Sequence, residues 1–220
     1  SDLKISKPVM TEQIKELSHS LKNINSKEIQ SLMGVSDKIA DLNYQRFQDF
    51  DPNNFNENNS KPAILALEGD VYKNINPNTL SDEVLNSAQN KLGILSGLYG
   101  YLRPLDLIQP YRLEMKTKLK TDKHNNLYSF WADTITNHIN DILKEQNITN
   151  NYLINLASTE YFSSLDKNKI NAKIINITFK ELKNSQNIKD AKIIGVMAKR
   201  ARGMMCRFIL ENNISDPKDL

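Results

Sequence analysis

The segment from Leu95 to Met115 constrains the fold most strongly, because residues that interrupt helices recur in it at short intervals. These residues are Gly97, Gly100, Pro104 and Pro110. Glycine and proline at this spacing prevent a long helix and predict an irregular backbone path. The leucines and tyrosines between them are too apolar for a loop that is surrounded by solvent. The sequence therefore predicts an irregular segment that is largely buried.

A buried irregular segment needs hydrogen-bond partners for its backbone polar groups. Four charged residues of the segment can supply them: Arg103, Asp106, Arg112 and Glu114. Segments of this kind commonly line a cleft and carry functional side chains. Two interpretations stay open: the charged residues face a cleft, or they form ion pairs that only stabilise the loop.

On either side of this segment, stretches of helical periodicity and short apolar runs predict a mixed α/β (α+β) fold. Helices are predicted over Thr11–Lys22, Lys27–Met33, Ser36–Phe50, Ser81–Leu92, Leu127–Glu145 and Ala198–Glu211. Strands are predicted over Ala63–Leu67, Tyr152–Leu156, Lys173–Phe179 and Lys192–Val196, and loops over Asp51–Lys61 and Asn184–Asp190. No linker or internal repeat divides the sequence, so we expect residues 1–220 to form a single compact domain with a central mixed sheet surrounded by helices.

Composition narrows the classes of protein to consider. With 220 residues, of which 39% are hydrophobic, the chain can bury one sizeable core. Its apolar runs are far shorter than the ~20 residues that span a bilayer, and no charged and then apolar leader opens it, so we expect a cytoplasmic protein without membrane contact. The single cysteine, Cys206, excludes a disulfide framework within the chain. A net charge of +3 is too small to identify a nucleic-acid-binding protein, so the evidence for such a function must come from how the charge is distributed along the chain.

The segment Leu32–Ala40 is typical of a site that binds phosphate groups. Gly34 can end one helix in a positive-φ conformation, and Ser36 can begin the next. We expect the backbone amides of Gly34, Val35 and Ser36, together with Lys38, to hold an anion at the positive end of the second helix. The pattern resembles the helix-hairpin-helix element of DNA-repair proteins, with Ser36 at the position of the second glycine. The alternative is an ordinary corner between two helices.

Two clusters of basic residues extend this prediction. One comprises Lys199, Arg200, Arg202 and Arg207, which a helical wheel places opposite an apolar side made of Met197, Ala198, Ala201, Met204, Met205, Phe208 and Ile209. The other comprises Arg112, Lys116, Lys118, Lys120 and Lys123. Each cluster alone is compatible with a solvated surface. Together with the glycine hairpin and Arg103, they favour a polyanion as the partner.

Motifs for metal and cofactor chemistry are missing from the sequence. No phosphate-binding loop and no nucleophile elbow occurs, and one cysteine with three scattered histidines argues against zinc. Glu16 and His19 form a single Glu-x-x-His pattern, whereas a di-iron bundle needs two. We therefore expect no metal and no cofactor.

An enzymatic interpretation stays open beside the binding one. Its candidate acid–base residues are Asp70, Tyr72, Asp106, Glu114 and Glu160, with Tyr161 and with Arg103 and Arg112 nearby. Carboxylates and tyrosines beside arginines could cleave a glycosidic or phosphodiester bond. Structural ion pairs would explain the same residues.

Several longer motifs follow one another along the chain. They are Glu68–Tyr72, Leu95–Gly100 with Leu102–Asp106, Gln109–Met115, Phe130–Trp131, Asn155–Ser158 with Glu160–Phe162, and Lys199–Gly203 with Arg207–Phe208. On these motifs the sequence from about Ile29 to Leu220 resembles the YaaA family of bacterial peroxide-stress proteins. The resemblance implies a compact mixed α/β fold, binding of double-stranded DNA, and protection against hydrogen peroxide through lowering of unincorporated iron. It also implies a helix-hairpin-helix-like element at about residues 27–50.

The resemblance has two departures. Family members open with a short apolar strand that leads into Ser-Pro-Ala-Lys, which this sequence does not contain, and they continue past the position that matches Leu220. Two alternatives stay open: the sequence is incomplete, or both ends are missing, and with them one sheet strand and one lysine near the cleft.

These observations predict a DNA-binding protein of the peroxide stress response. We expect it to bind duplex DNA as a monomer, through backbone phosphates and with little sequence preference. A nucleic-acid-processing enzyme is the alternative. A third interpretation, an interaction module for iron handling, predicts no DNA affinity.

Overall fold

The computed structural model describes residues 2–146, 151–182 and 187–220, and it confirms the mixed α/β class. The helices are α1 Thr11–Lys22, α2 Ser26–Met33, α3 Asp37–Asp49, α4 Ala63–Ala66, α5 Asp70–Ile75, α6 Asp82–Ala88, α7 Leu127–Glu145, α8 Thr159–Phe162 and α9 Gly195–Glu211. The strands are β1 Lys61–Pro62, β2 Ile94–Ser96, β3 Gly100–Leu102, β4 Leu107–Ile108, β5 Tyr152–Asn155 and β6 Lys173–Asn176. All six predicted helices are present, whereas α4, α5 and α8 were not predicted.

The first three helices form where local sequence signals place them. Asn25 begins α2 in a capping box: its side chain accepts from the N–H of Glu28 (3.0 Å), and its own N–H donates to Glu28 Oε2 (2.7 Å). Gly34 ends α2 with φ +62°, in the left-handed region that favours glycine. Helix α3 packs on both α1 and α2. The glycine turn between two helices is therefore present, and its assignment as a DNA-binding helix-hairpin-helix element stays a prediction.

The strands differ most from prediction, because the described residues form three two-stranded sheets and no central sheet. β1 pairs with β4 and β2 with β3, both antiparallel, whereas β5 and β6 are parallel with Tyr152 opposite Lys173. The predicted strand Ala63–Leu67 is wrong, since its residues form α4. An apolar run of five residues cannot distinguish a strand from a short helix by periodicity. The prediction of one domain over residues 1–220 stays a prediction.

The fourth predicted strand and the second predicted loop lie around the start of α9. Of Lys192–Val196, only Lys192 forms a β-bridge, with Glu181, and α9 already begins at Gly195. Part of the predicted loop Asn184–Asp190 lies outside the described residues. Its end, Ile188–Asp190, forms a short 3-10 helix.

The irregular middle segment is buried as predicted, and it forms much of the core. Leu98, Tyr99, Leu102 and Leu105 are fully buried. Gly97 is required at a close approach, since a Cβ there would lie 2.2 Å from the carbonyl oxygen of Leu113. The buried Trp131 of α7 holds the segment in place, because its indole N–H donates to the carbonyl of Gly97 (2.8 Å).

Helix α9 packs with a different face from the predicted one. The face against α5 and α6 contains Ala198, Gly203, Cys206 and Leu210, which are all buried. The predicted apolar side points outward at its centre: Met197, Met204 and Phe208 are 45%, 62% and 44% exposed. A Cβ on Gly203 would lie 2.2 Å from the carbonyl oxygen of Val71 in α5. Close approach through small residues, rather than the most apolar side, therefore orients this helix.

Candidate functional site

The glycine hairpin offers a different set of backbone amides from the predicted one. The N–H groups of Gly34 and Val35 both donate to the carbonyl of Gln30 (2.9 and 3.3 Å), so they complete the end of α2. Ser36 stands at the start of α3 in an extended conformation, without a side-chain hydrogen bond to the helix. Within the described part of the chain, no acceptor is found for the amides of residues 37–39. The first turn of α3, with the exposed Lys38 beside it, thus presents the unpaired amides of this hairpin, and their role in holding an anion stays a prediction.

Arg103 is held in a structural ion pair and does not present a free charge. Its side chain donates to both carboxylate oxygens of the fully buried Asp106, with Nη2 2.8 Å and Nε 3.1 Å from Oδ1. Nη2 also donates to the carbonyl of Lys7 (3.0 Å), and the hydroxyl of Ser6 donates to Asp106 (2.6 Å). Asp106 therefore ties the start of the chain to the middle segment, which supports the ion-pair interpretation for these two residues.

Arg207 is likewise engaged in packing. Its Nη1 donates to the carbonyl of Ile75 (2.8 Å) and to the hydroxyl of Thr79 (2.8 Å), and its Nη2 lies 2.6 Å from Glu211 Oε1. These contacts fix α9 to the end of α5. The guanidinium is accordingly less available to an outside anion than the sequence predicts.

The other three predicted cations of α9 are unpaired. Lys199 and Arg200 are exposed and Arg202 is half-buried, and none has an acidic partner in the described ranges. They occupy the first half of the helix. This half carries the available positive charge of α9.

A second basic surface follows the irregular segment 111–120, called the strap below. Leu113, Met115, Thr117 and Leu119 are buried, so the residues between them face outward. The outward positions include Arg112, Lys116, Lys118 and Lys120. Arg112 lies 3.5 Å and Lys116 3.3 Å from the carboxylate of Glu114, whereas Lys118 and Lys120 have no acidic partner in the described ranges. Alternating burial thus aligns the cations of the strap on one side.

Of the carboxylates in the enzymatic interpretation, the structure brings two together. Glu114 contacts the ammonium group of Lys116, and Glu160 accepts from the backbone N–H of Lys116 (3.3 Å). Hydrogen bonding and charge from Glu114 raise the pKa of Lys116. Asp106 is buried against Arg103, and Asp70 begins α5 without a contact to these acids in the described part of the structure. The predicted set therefore does not form one acid–base centre.

The tyrosines near these carboxylates form a protonated cluster. Burial, reinforced by the neighbouring Tyr111, raises the pKa of Tyr72 and of Tyr161. Burial raises the pKa of Tyr111 to about 12, against a hydrogen bond with Ser96 (2.6 Å). These hydroxyls can donate hydrogen bonds at neutral pH but cannot serve as bases. Ser96 and Tyr111 were not singled out as site residues, although both lie in motifs that carry the family resemblance.

A cleft of about 800 Å³ opens where β5 and β6 end at their carboxyl sides. Its lining includes Tyr128, Asn155, Phe162, Lys167, Phe179 and Arg202. Tyr128 connects it with the strap, because the charges of Glu160 and Lys116 both act on this tyrosine. Of the lining residues, sequence reasoning identified only Arg202 as a site residue. The others lie far apart in the sequence, and only the parallel pairing of β5 and β6 assembles them.

The residues that the structure describes contain neither a cluster of His, Cys, Asp and Glu suited to a metal ion nor a helix long and apolar enough to cross a membrane.

Comparisons with known proteins agree with the motif pattern. A family model described as peroxide stress protein YaaA matches residues 1–220. A UPF0246 protein of Legionella pneumophila (strain Lens) is 48% identical over 211 residues, which are 96% of this chain and 80% of the relative. A UPF0246 protein of Acaryochloris marina is 46% identical over 213 residues, covering 97% of this chain and 81% of the relative. The chain therefore belongs to the family of the peroxide stress protein YaaA.

Proposed function

We propose that this protein acts in the peroxide stress response by binding double-stranded DNA through its backbone phosphates, with little preference for sequence. In the proposal, protein bound along the duplex limits peroxide damage that is linked to unincorporated iron. The observation that supports it is a set of cations without an acidic partner in the described ranges, of which Arg202 lines the cleft. Lys118 and Lys120 belong to the strap, and Lys199, Arg200 and Arg202 belong to α9.

Free cations matter more here than the total charge. A lysine or arginine that already holds a carboxylate gains little from a phosphate, since one partner replaces another. The proposed contacts are therefore the first turn of α3 with Ser36 and Lys38, the unpaired strap residues Lys118 and Lys120, and Lys199, Arg200 and Arg202. Such contacts position a duplex but read no bases, which accounts for the expected lack of sequence preference.

A titration of duplex DNA at several salt concentrations tests the proposal. With about four to six phosphates neutralised, log K against log salt should have a slope near −4 to −5. The double variant Lys118→Glu/Lys120→Glu should weaken binding to all sequences equally and reduce the slope by about 2. Lys15→Glu is the matched control, because Lys15 lies on α1 and pairs with Glu12. A flat salt response, or equal binding by both variants, would contradict the proposed surface.

The nucleic-acid-processing enzyme remains the second candidate, because Glu114 and Glu160 converge on Lys116 beside Tyr128. The same titration decides between the two functions if the DNA is afterwards run on a denaturing gel. Intact strands fit a binding protein. Strand cleavage or base loss that disappears in Glu160→Gln would favour the enzyme.

A further inference from the structure

The cleft at the carboxyl ends of β5 and β6 has the dimensions of a small-molecule site. Its volume of about 800 Å³ falls within the roughly 300–1,000 Å³ of typical ligand pockets. Ligands of α/β proteins commonly bind beyond the carboxyl ends of parallel strands, and β5 and β6 are parallel. Of the residues proposed to contact a duplex, only Arg202 lines the cleft.

The charged residues of the cleft favour a phosphate group. Arg202 is half-buried and Lys167 is exposed, and neither has an acidic partner in the described ranges. The one carboxylate of the lining, Asp166, is already engaged: it accepts from the N–H of Asn168 (3.1 Å) and lies 3.5 Å from Lys169 Nζ. The net charge that faces a ligand is therefore positive. A guanidinium with free donors suits a phosphate, which it can bind in a bidentate manner.

The remaining lining suits a nucleobase. Phe162 of α8 and Phe179 beyond β6 are both half-buried at the cleft, and aromatic rings stack with any base. Asn155 fixes the polar edge: its Nδ2 donates to Asn176 Oδ1 (2.8 Å), while its Oδ1 accepts from the N–H of Ala157 (3.0 Å). The oxygen of Asn176 is thereby occupied. Its amide nitrogen, which has no acceptor in the described part of the chain, can donate to a base.

We propose that this cleft binds a single nucleotide, with the base stacked on Phe179 and the phosphate on Arg202 and Lys167. The nucleotide has two chemical sources: a free nucleoside monophosphate, or a nucleotide turned out of a DNA strand. Only the second source rests on the proposed DNA binding. Turning a nucleotide out of the strand costs the least free energy where the base pair is mismatched.

Two probes separate the sources. The first is AMP, titrated calorimetrically. The second is a duplex that carries one mismatched 2-aminopurine, whose fluorescence rises when the base leaves the stack. Phe179→Ala removes the ring from the cleft, and Phe208→Ala is the matched control because Phe208 lies on the outer face of α9. Phe179→Ala should weaken AMP binding at least about fivefold, or abolish the fluorescence rise, while Phe208→Ala retains the parental response.

The outcomes distinguish this proposal from the proposed function. If fully paired duplex binds with a steep salt dependence but neither probe senses Phe179→Ala, the nucleotide site is refuted and DNA binding stands. If AMP binding depends on Phe179 and no duplex binds, the nucleotide site stands and the proposed function is refuted. Thermal unfolding checks that Phe179→Ala folds, and if it does not, Asn176→Ala replaces it at an exposed position with the same expected loss.

Discussion

At the scale of single residues, burial decides which groups of this protein can react. The helical wheel places Cys206 beside Lys199 and Arg202, where nearby cations would activate a thiol. The structure instead buries Cys206 in the contact with α5, and burial raises the pKa of its thiol to about 12. The exposed sulfur atoms are the thioethers of Met197 and Met204 on the opposite face.

Hydrogen peroxide should therefore oxidise Met204 before Cys206. With its pKa raised to about 12 by burial, the Cys206 thiol stays protonated at neutral pH, whereas Met204 is 62% exposed. Peptide mass spectrometry during a peroxide titration measures the order, with the buried Met10 and Met115 as internal controls. Cys206→Ser should keep the proposed DNA binding and peroxide protection. Loss of protection in that variant, with fold and affinity intact, would show a functional thiol.

His138 should make the protein less stable in mild acid. Burial lowers the pKa of His138 by more than the charges of Asp141 and Glu145 raise it, so the net shift is downward. Its Nε2 is buried without a partner in the described structure. The unfolded chain then binds a proton more readily than the folded one. The free energy of unfolding therefore falls as the pH drops from about 6.5, the pKa of an unfolded histidine, towards the lower pKa of His138 in the folded protein. Above that window both states hold a neutral ring and the effect vanishes.

Urea unfolding of the parent and of His138→Gln at about pH 5 and about pH 7.5 measures this contribution. The parent should lose more stability between the two pH values than the variant does. His19→Gln serves as the control, because His19 is exposed on α1. An equal loss in the parent and in His138→Gln would show that another group causes the pH dependence.

At the scale of elements, the contact between α5 and α9 depends on one glycine. Because Gly203 lies against the Val71 carbonyl, the two helices approach more closely than side chains would permit. With this contact in place, Met197, Met204 and Phe208 lie on the outside and Arg202 lies at the cleft. The position of the basic residues is thus a consequence of backbone packing.

Gly203→Ala should destabilise the protein by about 1–3 kcal/mol, since the added methyl group must push α9 away from α5. Gly195→Ala is the matched control in the same helix: a Cβ there meets nothing within 4 Å, and alanine favours a helix by up to about 1 kcal/mol. Denaturant unfolding of the two variants measures both effects. Equal stability of the variants would refute the close approach of the two helices.

At the scale of the whole molecule, a buried acid joins distant parts of the chain. Asp106 accepts hydrogen bonds from Ser6 and Arg103, while Arg103 also reaches the backbone of Lys7. The carbonyl of Asp106 accepts from the N–H of Ala63 as well (2.8 Å), so α4 starts at the same point. Three chain segments therefore meet at Asp106, two of them through its carboxylate and one through its backbone carbonyl.

Asp106→Asn should cost about 3 kcal/mol of unfolding free energy, because it breaks a buried ion pair. Asp133→Asn, which removes an exposed pair with Lys169, should cost less than about 1 kcal/mol. Urea titration of both variants gives the comparison. Similar midpoints for the two variants would mean that Asp106 is not the junction inferred here.

The sequence by itself determined the features that depend on near neighbours. Periodicity gave α1 and α7 with their observed bounds, and Gly34 ended α2 as predicted, because a turn of helix and a positive φ are local properties. The burial of the segment around Leu98 was also predictable from its apolar composition. Signals of this kind need only the residues within a few positions.

Tertiary structure decided the rest of the fold and most of the candidate site. Polarity cannot tell which side of α9 approaches α5 most closely, so the wheel oriented that helix wrongly. It also cannot tell that Arg207 would find acceptors at Ile75 and Thr79, more than a hundred residues away. The charge that a cation offers to an outside anion is what remains after such distant contacts form, and the cleft exists only because β5 and β6 pair in parallel. Contacts between remote segments thus determine which of the charges in the sequence are free to act.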